Sequence, residues 1–166
     1  MNLQFYFEKL EHSEVYKDFM KKNKDAYFYS GFFCLDKKGK DNQVHLDFFI
    51  PSSEEVFSFK IDGEIVLSSI TIYAKKVPEE ISMKLDLNLD VFEKIILDEI
   101  EKKEVKKKVQ KLLLGLQSKD KEIFLIATVF MSGMGLVKLN INVKSKEISE
   151  FEKKSIFDMI SVLKKK

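Results

Sequence analysis

His45 and Asp47 stand two residues apart in the stretch QVHLDFFI. In an extended chain such residues project from one face. An imidazole oriented by a carboxylate is half of a general-base arrangement, and a nucleophile beside it would complete the set. The sequence marks no such nucleophile. The same pair also reads as polar residues on the solvent side of an antiparallel strand, so a small enzyme centred on His45 and Asp47 stands only as an alternative reading.

The other chemistry-bearing residues are sparse. His12 and His45 are the only histidines and Cys34 the only cysteine, too few for the three or four convergent ligands of a common transition-metal site. Neither a metal nor a cofactor is expected. Met131-Ser132-Gly133-Met134-Gly135 has the glycines of a phosphate loop. A phosphate loop needs a helix behind it, however, and the residues after Gly135 alternate as a strand: Val137, Leu139, Ile141 and Val143 on one side, Lys138, Asn140 and Asn142 on the other. The glycines are therefore read as the bend of a hairpin. Cys34 follows a run of aromatic residues, where a thiol packs as a small hydrophobe and titrates high.

The most basic stretch, EKKEVKKKVQK, holds six lysines between Lys102 and Lys111. Lys102, Lys103, Lys106 and Lys107 are the candidates for contact with an anion, the competing reading being the solvated face of a helix. All the basic residues are lysine and the formal net charge is only +2. Without arginine the chain lacks the forked donor that reads guanine and clamps phosphate, so nucleic acid is not an expected partner. No run approaches the ~20 apolar residues of a membrane-spanning helix. Charges at Glu8, Lys9 and Glu11 interrupt any signal-peptide core, and one cysteine permits no internal disulfide. A cytoplasmic protein is expected.

These residues must be positioned by a framework that the apolar spacing outlines. Leu3, Phe7, Leu10, Tyr16, Phe19 and Met20 fall at helical intervals, with Ser13 as a cap between two pieces. AYFYSGFFCLD is apolar on both faces, as a strand central in its sheet should be. The polar turn DKKGKDN, then Pro51, then Asp62-Gly63 separate it from QVHLDFFI, VFSFKID and EIVLSSITIYAKK, a four-stranded meander. Phe92, Ile96 and Ile100, followed by Val105, Val109, Leu112 and Leu116, predict a kinked helix over 90–117. Ile123 to Met131 and Leu136 to Val143 form a second hairpin. Ser149 and Glu152 have capping-box spacing, predicting a final helix that carries Phe151, Ile156, Met159, Ile160 and Leu163.

The predicted order is α-β-β-β-β-α-β-β-α, an α+β fold of antiparallel strands. It is read as one compact domain over 1–166, with 1–76 and 88–166 as candidate subunits. NKDAYFYSGFF and SKDKEIFLIATVF echo one another, as two degenerate α-β repeats sharing a core would require. Aromatic residues crowd the first half beyond what one covered sheet face consumes. Tyr27, Tyr29, Phe32 and Phe49 are the surplus, and an aromatic face left open is a place to bind a partner or a second subunit.

In element order, with AYFYSGFFCLDKKGKDNQVHLDFFIP and IATVFMSGMGLVKLNINV as strands, the chain resembles PepSY-like domains. That resemblance implies a non-catalytic binding or inhibitory module. The order also looks like that of type III secretion chaperones, which implies a cytoplasmic homodimer holding an extended polypeptide. The expected function is thus a binding module for a protein or peptide, using the aromatic sheet face.

Overall fold

A computed structural model describes residues 1–71, 76–103 and 105–155, together with residues 160 and 164. The fold is α+β. Two short helices, α1 (Leu3–Glu11) and α2 (Glu14–Lys22), precede β1 (Tyr27–Asp36), β2 (Gln43–Ile50), β3 (Glu55–Asp62) and β4 (Glu64–Ile70). A third helix, α3 (Leu89–Lys102), precedes β5 (Val109–Lys119), β6 (Glu122–Met131), β7 (Gly135–Asn142) and β8 (Ile148–Ser155). All eight strands form one antiparallel sheet in the order β4-β3-β2-β1-β5-β6-β7-β8.

Each half of the chain therefore supplies helix and then a four-stranded meander, and the halves meet where β1 pairs with β5. The helix starts mirror this arrangement. Asn2 caps α1 by accepting from the Gln4 amide, Asn88 caps α3 by accepting from the Asp90 amide, and the two asparagines form an antiparallel bridge. Ser13 caps α2, as its position predicts.

One sheet face packs under the helices. Phe7 and Phe28 meet edge to face at 5.1 Å, and Phe19 meets Phe59 at 5.2 Å. Phe92, Ile96 and Ile100 of α3 join Leu112, Leu114, Leu116, Leu125 and Val137 in the same buried cluster. Lys103, at the end of α3, sits 5.6 Å over the Phe151 ring of β8.

Two expectations are corrected. The predicted helix over 90–117 ends at Lys102, and Val109–Lys119 is a strand. Leu112, Leu114 and Leu116 alternate inward, and β1, apolar on both faces, needs a second ladder partner that only such a strand supplies. The predicted final helix is a strand over Ile148–Ser155, where Ser149 and Glu152 lie on an edge and not at a helix start. Residues 160 and 164 are helical, and the other residues expected in that helix beyond 155 lie outside the described ones, as do residues 72–75 of the predicted fourth strand. The suggested echo is also displaced: by place in the fold, the counterpart of β1 is β5, whereas SKDKEIFLIATVF runs into β6.

The turns are local chemistry. Gly133 and Met134 both adopt positive φ, and the chain reverses from β6 into β7 with no helix following, so the glycine-containing bend is a hairpin. Asp120 and Lys121 make the tight turn from β5 to β6 with φ of 52° and 64°. Glu79 holds that turn by accepting from both of their amides and from the Ser118 hydroxyl.

The β1–β5 seam contains two glycines with opposite demands. A Cβ on Gly31 would stand 3.0 Å from the Phe33 ring, on the helix-covered side opposite Leu116. A Cβ on Gly115 would meet nothing nearer than the Ile126 carbonyl at 3.9 Å. Gly31→Ala is expected to cost about 1–3 kcal/mol through overpacking, whereas Gly115→Ala is neutral or stabilising by about 0.5–1 kcal/mol. Urea unfolding of the two variants checks this; equal losses would contradict the seam packing.

Candidate functional site

The sheet face turned away from the helices carries the candidate residues. On β2 it presents Gln43, His45, Asp47 and Phe49, because Val44, Leu46, Phe48 and Ile50 enter the helix-covered core. Cross-strand register extends this face: Phe32 lies opposite His45 and Gly115, Gly115 opposite Ile126, and Ile126 opposite Asn140. Phe32 is 36% exposed and Ile126 38%. Leu113, Phe124 and Phe130, on the same face of β5 and β6, are half-buried. Gly115 brings no side chain between Phe32 and Ile126, so the apolar band has a notch at the seam.

At one end of this face a groove of about 730 Å³ is floored by Phe32, Cys34, Leu113 and Phe130. Lysines rim it: Lys38, Lys108 and Lys111 reach the mouth, with Lys111 paired to Asp41 at 2.7 Å. Burial pushes the Cys34 thiol up, as its sequence context predicts.

The four aromatic candidates divide. Phe32 is exposed. Phe49 is buried, its ring 5.7 Å from that of Tyr27. Tyr27 is half-buried and donates its hydroxyl to the Pro78 carbonyl at 2.6 Å. Tyr29 lies at the register shift of β1, and its phenol is pushed up to about 12 by burial and then by the nearby Asp47 charge. Phe124, Ile126 and Phe130 are members of the band that sequence reasoning left out. Their alternation with Leu125, Ala127 and Val129 was hidden because both sides of that strand are apolar.

His45 and Asp47 share the face but form no hydrogen bond with each other. The Nε2 of His45 lies 3.3 Å from the Gln43 side-chain oxygen, and its ring stands edge-on to Phe32 at 5.9 Å. Burial, then the Lys60 charge, lower the His45 pKa. Burial raises the Asp47 pKa, and the hydroxyl of Ser58, directly cross-strand, moderates that rise without completing a hydrogen bond. The carboxylate-oriented imidazole of a general base is thus not assembled. Among the described residues, no group of three or more His, Cys, Asp or Glu side chains converges as a metal site would require.

Three buried side-chain atoms among the described residues have no hydrogen-bond partner: Asp47 Oδ1, Ser58 Oγ and Asn140 Oδ1. By register all three lie on the open face, Asp47 opposite Ser58 and Asn140 opposite Ile126. Buried polar atoms without partners are uncommon, and here they sit within or beside the apolar band.

The lysine candidates are spread out and share no single helix face. Lys102 is the last residue of α3, Lys103 follows it and approaches Glu99 at 3.9 Å, and Lys106 and Lys107 lie in the connection to β5. Lys107 lies against Gly135 of the β6–β7 bend.

No protein-family model matches the chain, and no curated protein is similar to it in sequence. Among solved structures the chain is similar to a protein of Clostridium difficile 630 described as "a putative lipoprotein", with a TM-score of 0.56 and 13% identity over 85% of this chain and 91% of that one. At that identity the likeness is one of fold. No helix among the described residues is long and apolar enough to cross a membrane.

Because its folded-state pKa is raised, Asp47 favours the native state fully below the unfolded carboxylate pKa, near 3.9, and loses that contribution as pH rises through its folded value. Asp47→Asn is therefore expected to gain stability over the parent at pH 7 and to lose that gain near pH 3. Chemical denaturation at both values reads the difference, and a loss at pH 7 would mean that the carboxylate is paired when ionised.

Proposed function

We propose that this chain is a non-catalytic binding module whose open sheet face takes a polypeptide partner. The observation that carries the reading is the apolar band from Phe32 across Gly115 to Ile126, exposed at the centre of the sheet where the two halves join. Exposed apolar side chains rimmed by polar groups mark interaction sites, and a strand-built surface that runs from the Phe32 groove across the seam suits an extended polypeptide.

The surroundings supply the specificity such a surface needs. Asp47 and Asn140, half-buried beside the band, place polar side chains at its border. The lysines at the mouth of the Phe32–Phe130 groove favour a partner with an acidic residue next to its apolar anchor. The element order that suggested PepSY-like domains persists in each half as helix followed by antiparallel strands, and it supports a binding role at that level of likeness. The description of the similar clostridial structure as a lipoprotein applies to that protein, and the cytoplasmic setting inferred from sequence stays part of the present proposal.

Peptides selected from a random display library against the purified chain provide the probe, with affinities measured by fluorescence anisotropy. Phe32→Glu and Ile126→Glu are expected to weaken the selected peptides by about tenfold or more each, while Phe5→Glu, exposed on the helix layer, leaves binding unchanged. Peptides that bind all three variants alike, with circular dichroism showing them folded, would contradict the assignment of the face.

A further inference from the structure

The sheet ends in two edges of opposite character. At β8 the edge sequence ISEFEKKS carries Glu150, Glu152, Lys153 and Lys154, the charges by which proteins keep edges from pairing. At β4 the sequence is EIVLSSI, with one charge at its first residue and no proline. Every residue of β4 pairs with β3 on its inner side, and among the described residues none of the backbone bonds outside the strand ladders reaches β4 on its outer side. Val66 is 51% exposed and Ile70 36%. A β-favouring, half-apolar strand with a single charge, whose outer ladder meets no partner among the described residues, is a template for another strand.

A second feature lies beside it. Phe5, 62% exposed, and Val15 line a groove of about 690 Å³ between the α1–α2 turn and the start of β4, closed below by Gly63, Glu64 and Ile65. On the helix side the sheet edge is thus left with room for the side chains of one more strand.

We propose that the occupant is a second copy of this chain, pairing β4 to β4 antiparallel about Leu67. That register sets no like charges opposite one another. Leu67 opposes Leu67, Val66 opposes Ser68, Ile65 opposes Ser69, and Glu64 opposes Ile70, so the two carboxylates fall at opposite ends of the ladder. The pairing brings Ser69 and Thr71 of the second copy, both small, to the mouth of the Phe5–Val15 groove. It is an isologous contact, and it closes: the outer edges of the joined sheet are then both β8, which its charges keep from pairing. A closed dimer follows, in which the open faces of both copies run on as one surface. The inference stands independently of what that surface binds.

Multi-angle light scattering and sedimentation over a concentration series test it. The chain is expected at twice its 19.4 kDa mass, and Val66→Lys with Ile70→Lys, both exposed and outside the core, is expected to weaken self-association by about tenfold or more while circular dichroism and the melting temperature hold. Directly opposed antiparallel residues have Cα atoms about 4.5–5.5 Å apart, within disulfide reach. With Cys34→Ser as background, Leu67→Cys is therefore expected to form a disulfide-linked dimer on mild oxidation and Ser69→Cys is not. A monomer at all concentrations, or a dimer indifferent to the two lysines, would overturn the proposal.

Discussion

Everything in this molecule hangs on the backbone pairing between β1 and β5. Each half of the chain is a helix layer and four strands, and a four-stranded meander made by either half alone would end at an apolar inner edge. Leu35 against Leu112, Phe33 against Leu114 and Gly31 against Leu116 line the covered side of the seam, and Phe32 against Gly115 lines the open side. Pairing these strands satisfies the ladder of each and buries the leucines under α1 and α3, whose starts are tied by the Asn2–Asn88 bridge. The same pairing sets Phe32 beside Ile126 across a glycine, so the exposed band at the centre of the sheet is a product of the join and belongs to neither half.

The open face departs from ordinary solvent-facing sheet surface in two ways. It buries residues that would otherwise be wet, among them Phe49, Val56 and Cys34, and it strands polar atoms beside them. A carboxylate held with a raised pKa next to a phenol pushed up to about 12 is an arrangement of desolvation. The Nε2 of His45 approaches the Gln43 side-chain oxygen, and His45 forms no hydrogen bond with Asp47. The proposed recognition role rests on this surface, which is apolar at the centre with half-buried polar side chains beside it.

Much of the first half was legible because its punctuation is chemical. The turn at Gly39, Pro51 after β2 and Asp62-Gly63 each forbid continuation of a strand, and QVHLDFFI alternates without ambiguity. The second half failed at two places for distinct reasons. LLLGLQ satisfies both periods, since Leu112 and Leu116 lie four apart while Leu112, Leu114 and Leu116 alternate, and only the need of β1 for a second neighbour breaks the tie. ISEFEKKS is polar because it is an edge, and a charged edge strand looks like the first turn of a capped helix. Of the site, Phe32 was legible as one of the surplus aromatics, while its place beside His45 follows from the β1–β2 register. Its continuation to Ile126 was not, because β5 had been read as helix and the two residues share a surface only through that strand.

The most direct test of this account is native-state hydrogen exchange resolved along the chain. If β1 and β5 weld the halves into one cooperative sheet, their amides exchange last and at a common rate set by global unfolding, with those of β4 and β8 faster. If the amides of β5 exchange with a free energy separate from those of β1, the halves open independently and the shared face is not a fixed surface.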